Sequence, residues 1–370
     1  MSCDFIDLAN SGIQGLSPYQ PGKPIEELER ELGLSNVVKL ASNENPLGPP
    51  QSALDACRAA MNGLHLYPDA SGYRLKTSLS AKLGVQPEQL TLGNGSNDVL
   101  DLLARVFLDG DSSAVYSQHA FVVYPIAVQA AGARAIVTPA QSWGHDLQAM
   151  AEAIDSDTRL VFIANPNNPT GTWLTEQDVR HFLAQVPDNV IVVLDEAYAE
   201  YVEEADYPDG VELMADYPNL VVTRTFSKAY GLAGLRVGYA ISHPDVADLL
   251  NRVRAPFNVN SMALAAAEAA LNDSDYLARS LDVNRRGMIQ LGEGLSKLGL
   301  DVIPSVGNFI AVAMPGRAGP YYQALLEQGV IARPVGVYEM PKHLRITVGL
   351  EQENARCLEA LSAVLNEPRS

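Results

Sequence analysis

Val190-Ile191-Val192-Val193-Leu194-Asp195 is apolar at every position and closes on a carboxylate. A strand apolar throughout, rather than at alternate residues, belongs inside a sheet covered on both faces. Six more short apolar runs surround it: Leu90-Thr91-Leu92, Ala114-Val115-Tyr116, Ala135-Ile136-Val137, Leu160-Val161-Phe162-Ile163, Leu220-Val221-Val222-Thr223 and Val237-Gly238-Tyr239-Ala240-Ile241. Amphipathic stretches such as 96–107 and 175–185 separate them. The alternation predicts an α/β fold built on a mostly parallel seven-stranded sheet flanked by helices. Ligands of such sheets collect at the carboxyl ends of the strands, so the residues just after each run are the ones to inspect.

Outside that region the texture changes. The first forty residues, with Ser17-Pro18-Tyr19-Gln20-Pro21-Gly22, read as an arm rather than a core element. Residues 200–219 are acidic and loop-like and read as a solvated excursion. After Pro256 come an alanine-rich helical stretch, a charged helix around 275–298 and then strand, helix, two strands and a helix. The expected organisation is an N-terminal arm (1–40) contributing to the small domain, a large domain (41–255) and a smaller α+β domain (256–370). At 370 residues two domains are the ordinary expectation.

Composition removes several functions. No apolar run reaches the ~18 residues of a membrane span. Met1-Ser2-Cys3-Asp4-Phe5 lacks the basic and apolar parts of a secretory signal, so a cytoplasmic location is expected. Cys3, Cys57 and Cys357 are scattered, the six histidines are dispersed, and neither set has metal-ligand spacing. A net charge of −18 argues against nucleic acid or an anionic membrane as partner. An anionic small molecule still fits, provided arginines and helix N-termini gather locally.

Residues that end strands carry the chemistry. Asp195 needs a partner if buried: it caps a helix, forms a salt bridge, or holds a protonated pyridine nitrogen and so makes that ring an electron sink. Tyr198 lies three residues on. Asn165-Pro166-Asn167-Asn168-Pro169-Thr170-Gly171 is a turn, in which the Asn168 amide is available to donate to a phenolate oxygen. Gly93-Asn94-Gly95-Ser96-Asn97-Asp98 joins a strand to a helix, with Ser96 as the expected cap and backbone N–H groups suited to a phosphate. It is neither a Walker sequence nor a dinucleotide fingerprint. Phe121 is either core or a stacking surface for a planar heterocycle. Lys228, in Thr225-Phe226-Ser227-Lys228-Ala229-Tyr230-Gly231-Leu232-Ala233-Gly234-Leu235-Arg236, is either a surface lysine or a desolvated amine able to form a Schiff base. Ser227 and Arg236 beside it offer further anion contacts.

The combination N-P-N-N-P-T-G, D-E-A-Y and S-K-A-Y-G-L-A-G-L-R-V-G, with the late Arg345-Ile346-Thr347-Val348-Gly349, resembles the pyridoxal-phosphate aminotransferases of fold type I over nearly the whole chain. Ser17-Pro18-Tyr19, Lys39-Leu40-Ala41-Ser42-Asn43-Glu44-Asn45-Pro46 and Tyr67-Pro68-Asp69 are most similar to the histidinol-phosphate branch. The resemblance implies pyridoxal 5'-phosphate as cofactor, with Lys228 as the Schiff-base and proton-shuttling lysine. It implies Asp195 at the ring nitrogen, Asn168 and Tyr198 at the ring oxygen, and Phe121 stacked on the ring where many relatives carry tyrosine. Gly95, Ser96, Ser227 and Arg236 would hold the phosphate, joined by Tyr67 from a neighbouring subunit of a homodimer. Asn97 stands where several relatives are acidic, so only its backbone contact carries over. Arg345 would receive the carboxylate of 2-oxoglutarate or glutamate, and Arg333 the phosphate of histidinol phosphate, with Tyr19 and Asn43 also on the substrate. The rivals are an aromatic amino-acid aminotransferase, a threonine-phosphate decarboxylase and a ligand-binding module that has borrowed the fold.

Overall fold

A computed structural model describes residues 5–366; Cys3 and the rest of the Met1-Ser2-Cys3-Asp4 start lie outside the described residues. In chain order the first strands are β1 (Val38–Lys39), β2 (Leu90–Gly93), β3 (Ser113–Ser117), β4 (Arg134–Thr138) and the hairpin of β5 (Ala140–Gln141) and β6 (Gly144–His145). They are followed by β7 (Thr158–Ala164), β8 (Ile191–Asp195), β9 (Leu220–Thr225) and β10 (Gly238–Ile241). All seven apolar runs lie in one sheet of order β2-β10-β9-β8-β7-β3-β4.

Strands β4, β3, β7, β8 and β9 are parallel, whereas β10 is antiparallel to both β9 and β2. The connection explains the reversal. A parallel return needs a crossover, usually a helix, but between β9 and β10 the chain forms only a short 3-10 turn at Ala233–Leu235. That tight connection carries Lys228 and leaves it at the carboxyl end of β9.

Successive side chains of a strand point to opposite faces, and the core divides accordingly. Val161, Ile163, Val192, Leu194 and Val222 pack with the helices Tyr73–Leu83, Glu176–Leu183 and Ser261–Leu271. Leu160, Phe162, Val193 and Val221 pack with the helices Ser96–Phe107, Val123–Ala130 and Pro244–Val253. Strand β4 departs from the expected pattern: as the sheet edge it exposes Arg134, Ala135 and Val137. The helix foreseen over 175–185 spans Glu176–Leu183, because the Thr175 hydroxyl accepts from the Asp178 N–H at 3.1 Å and so sits outside the first turn as its cap.

The C-terminal part holds β11 (Val302–Ile303), β12 (Phe309–Ala313), β13 (Val330–Ile331), β14 (Arg333–Pro334) and β15 (His343–Thr347). Strands β11, β12, β15 and β14 form an antiparallel sheet, and the helices Ser274–Lys297 and Glu351–Asn366 contribute Leu291, Leu295, Cys357 and Leu361 to its core. The sequence pattern anticipated three strands here. Strands β11, β13 and β14 have two residues each and are too short to leave a periodicity.

The N-terminal arm carries regular structure of its own. Residues Ile25–Leu32 form a helix, and Leu28 is buried against Ala41, Leu326 and Ile331. Strand β1 then pairs in parallel with β13, so the arm is stitched to the C-terminal sheet. Glu203, Glu204, Asp206, Asp209 and Glu212 of the acidic segment are exposed, although Asp209 also pairs with Arg224 at 3.2 Å. Cys57 and Cys357 are free thiols.

Candidate active site

The carboxyl ends of β7, β8 and β9 open into a cavity of about 190 Å³ whose other wall comes from the arm, β14 and β15. Of the residues singled out in the sequence, Tyr19, Asn43, Ser96, Asn97, Phe121, Asn168, Asp195, Tyr198, Ser227, Lys228, Arg236, Arg333 and Arg345 all line it. Two do not.

Gly95 lies just behind the wall as the cap residue of the helix Ser96–Phe107, with φ +89°. This corrects the expectation for Ser96, which is the first helical residue; no side chain caps this helix, so its N–H groups are left for an external acceptor. A Cβ at Gly95 would lie 2.5 Å from Arg236 Nη2, and only glycine lets the guanidinium sit against the turn. Arg236 Nη1 donates to Ser227 Oγ at 3.3 Å. A helix N-terminus, a serine and an arginine thus converge on one corner.

The second absentee is Tyr67. It is 81% exposed and stacks on Phe257 with ring centroids 4.6 Å apart, outside this cavity.

Asp195 is buried at the end of β8. Tyr124 Oη donates to Oδ2 at 2.9 Å and Thr223 Oγ1 to Oδ1 at 3.0 Å. Burial raises its pKa and these hydroxyls oppose the rise. Among the described residues no ion pair reaches this carboxylate.

Lys228 Nζ donates to the Ser42 carbonyl at 3.1 Å and lies 5.7 Å from the centre of the Tyr198 ring. Burial, reinforced by the guanidinium groups of Arg345 and Arg236, lowers its pKa to about 7. Tyr198 Oη accepts from Asn43 Nδ2 at 2.9 Å, and burial holds its pKa up at about 12, so the phenol keeps its proton. Asn43 has φ +55° and is fixed by Thr347, whose hydroxyl accepts from the Asn43 N–H at 2.9 Å and donates to Oδ1 at 3.0 Å.

Arg345 Nη1 donates to Asn168 Oδ1 at 2.5 Å and Nη2 to the Ala41 carbonyl at 2.6 Å. Its Nε is buried without a partner. Because Asn168 accepts through Oδ1, its amide nitrogen is left to donate into the cavity. Arg333 Nη2 donates to the Gln20 carbonyl at 2.5 Å, and its guanidinium lies over the Tyr19 ring at 5.8 Å.

Sequence reading missed Tyr124, Thr223, Ser42 and Tyr338. Tyr124 lies three residues beyond Phe121, and its ring stacks on Phe162 at 4.8 Å, which looks like core until its hydroxyl is traced. Thr223 is revealed by register alone: it pairs directly with Asp195 across β8 and β9.

The chemistry available is anion binding at two ends, with a near-neutral amine and a buried, hydrogen-bonded carboxylate between them. Comparison with known proteins gives the same family throughout. Residues 35–361 match the family model described as aminotransferase class I and II. The chain is 60% identical over 367 residues to histidinol-phosphate aminotransferase 2 of Pseudomonas fluorescens, covering 99% of each. It is also 60% identical over 364 residues to the protein of the same name in Pseudomonas aeruginosa, covering 98% of this chain and 99% of the relative. Among solved structures, histidinol-phosphate aminotransferase from Sinorhizobium meliloti, in complex with pyridoxal-5'-phosphate, superposes with a TM-score of 0.88 at 32% identity over 96% of each chain.

Proposed function

The chain belongs to the aminotransferase class I and II family, and from that premise we propose that it moves the amino group of histidinol phosphate to 2-oxoglutarate, giving imidazole-acetol phosphate and glutamate. One observation carries the reading: a lysine with its pKa lowered to about 7, a buried carboxylate without an ion pair among the described residues, and three arginines, Arg236, Arg333 and Arg345, meet in a single cavity.

The residues fit pyridoxal 5'-phosphate. The glycine turn at 95 leaves no room for a Cβ against Arg236, and the uncapped helix N-terminus beside it suits a phosphate. Asp195 is oriented by two hydroxyls in a site dry enough to favour pairing with a ring N–H⁺. Bound there, the cofactor supplies an aldehyde for the amine and a protonated ring that accepts electron density.

The protein's part is positioning and proton transfer. Lys228 has a free lone pair in a substantial fraction of molecules at neutral pH, so Nζ takes the α proton of the substrate and returns it. Phe121 would cover one face of the ring, Asn168 Nδ2 and Tyr198 Oη would donate to its oxygen, and Ser96, the Asn97 N–H, Ser227 and Arg236 would hold the phosphate. Arg345 binds the carboxylate of 2-oxoglutarate or glutamate in a forked contact. Arg333, with Tyr19, takes the phosphate of the amino donor, and Asn43 steadies Tyr198 at the substrate side.

The proposed assembly is a cytoplasmic homodimer in which exposed Tyr67 serves the neighbouring site. The proposed division is an arm at 1–40, a large domain at 41–255 and a small one at 256–370, with the helix Ser261–Leu271 packing back onto the large sheet. No helix among the described residues is long and apolar enough to cross a membrane.

A panel of amines with 2-oxoglutarate as acceptor tests the function. Histidinol phosphate should be the preferred donor; equal or better turnover of phenylalanine would replace this reading with an aromatic aminotransferase. Carbon dioxide release without an acceptor would replace it with a decarboxylase.

A further inference from the structure

Asp195 is placed against the proposed ring nitrogen, yet among the described residues it forms no ion pair, and a carboxylate removed from water tends to take up a proton. A protonated Asp195 would be a neutral neighbour to the ring, and the charge needed there would be lost. Two hydroxyls oppose this. Tyr124 Oη and Thr223 Oγ1 each donate to a different carboxylate oxygen, at 2.9 and 3.0 Å, and both residues are fully buried.

We propose that Tyr124 and Thr223 are positioning residues that keep Asp195 ionised and aimed at the ring nitrogen of the bound cofactor. The inference rests on the placement of pyridoxal 5'-phosphate argued above.

The geometry leaves the two hydroxyls little freedom. The Tyr124 ring is stacked on Phe162 at 4.8 Å and meets Phe121 edge-on at 5.9 Å, so its hydroxyl cannot swing away. Thr223 is held by sheet register directly opposite Asp195. Because Oδ1 and Oδ2 are both engaged from the protein side, the carboxylate plane is fixed before any ligand arrives. The other charged or titratable groups facing this pair are Lys228, Tyr198 and Tyr338. None of them donates a hydrogen bond to Asp195. A tyrosine and a threonine inside a core would otherwise be replaceable by phenylalanine and valine at little cost in shape.

The test measures cofactor affinity, not turnover. Apoprotein of wild type, Tyr124→Phe, Thr223→Val and Thr223→Ser is titrated with pyridoxal phosphate and with 1-deazapyridoxal phosphate, in which carbon replaces the ring nitrogen. Tyr124→Phe and Thr223→Val should each weaken pyridoxal phosphate binding roughly tenfold, the usual scale for a hydrogen bond to a charged group. Binding of the deaza analogue should be unchanged, and Thr223→Ser should restore wild-type affinity. Equal weakening for both ligands would mean that the residues serve packing alone, and no weakening for either would remove their role; both results overturn the proposal. Wild type that binds neither ligand would instead defeat the cofactor placement itself. Circular dichroism melting of each apoprotein identifies any variant that fails to fold, in which case Thr223→Ser against Thr223→Val decides.

Discussion

Lys228 should react as an amine with a pKa near 7, and this can be measured on apoprotein before any substrate is added. Burial lowers the pKa from 10.5 to about 7, with Arg345 and Arg236 adding repulsion and Glu44 opposing them. An ordinary lysine is neutral at pH 7 in on the order of one molecule in three thousand, whereas this one is neutral in about half. The rate at which apoprotein and pyridoxal phosphate develop the visible absorption band should therefore rise roughly tenfold from pH 5 to 6 and level off above about pH 8. Stopped-flow absorbance over pH 5–10 reads this directly, and borohydride reduction followed by peptide mapping assigns the adduct to Lys228. A rate that keeps climbing tenfold per unit past pH 9 would refute the argument that burial and the two arginines tune the amine. The same burial has a cost in stability. Since the folded pKa is the lower one, the folded state holds fewer protons than the unfolded chain between about pH 7 and 10.5, so the penalty is full below pH 7 and fades as pH rises toward 10.5.

Lys228→Met should accordingly melt higher than wild type as apoprotein at pH 6.5, by no more than about 5 kcal/mol, with the gap narrowing toward pH 10; a gap that widens with pH would contradict the sign. Gly95→Ala places a Cβ 2.5 Å from Arg236 Nη2 at φ +89°, so cofactor affinity should drop by roughly tenfold or more in equilibrium dialysis, the backbone strain alone costing on the order of 1 kcal/mol. Arg333→Ala should raise KM for histidinol phosphate by about tenfold or more while leaving that for 2-oxoglutarate nearly unchanged, since a forked charged contact is lost on one ligand only. Arg345→Lys should raise KM for 2-oxoglutarate by a similar factor, because an ammonium cannot replace the contacts to Asn168 and Ala41 and a carboxylate together.

Much of this was legible in the chain itself. The buried strands announce themselves because a strand covered on both faces has no polar positions, and the residues after them, Asp195, Asn168 and Lys228, follow from where parallel sheets bind ligands. Short contacts between distant segments were not legible. Ser96 looked like a cap because serine is a common one; the glycine at φ +89° takes that place because Arg236, some 140 residues away, occupies the space a side chain would need. The first forty residues read as an arm because of the proline- and glycine-bearing stretch at 17–22, yet Leu28 finds Ala41, Leu326 and Ile331 only once the C-terminal sheet has formed.

The sequence alone determined which chemistry the chain carries, since an amine, a carboxylate, an amide and arginines are properties of residues and their order along strands and turns is local. Tertiary structure decided what state those groups are in. The Lys228 amine is brought near neutrality, Asp195 is given Tyr124 and Thr223, and Arg345 is tied to Asn168 only when β7, β8, β9 and β15 close around one cavity. Desolvation and hydrogen-bond geometry depend on neighbours in space, and no spacing along the chain encodes them.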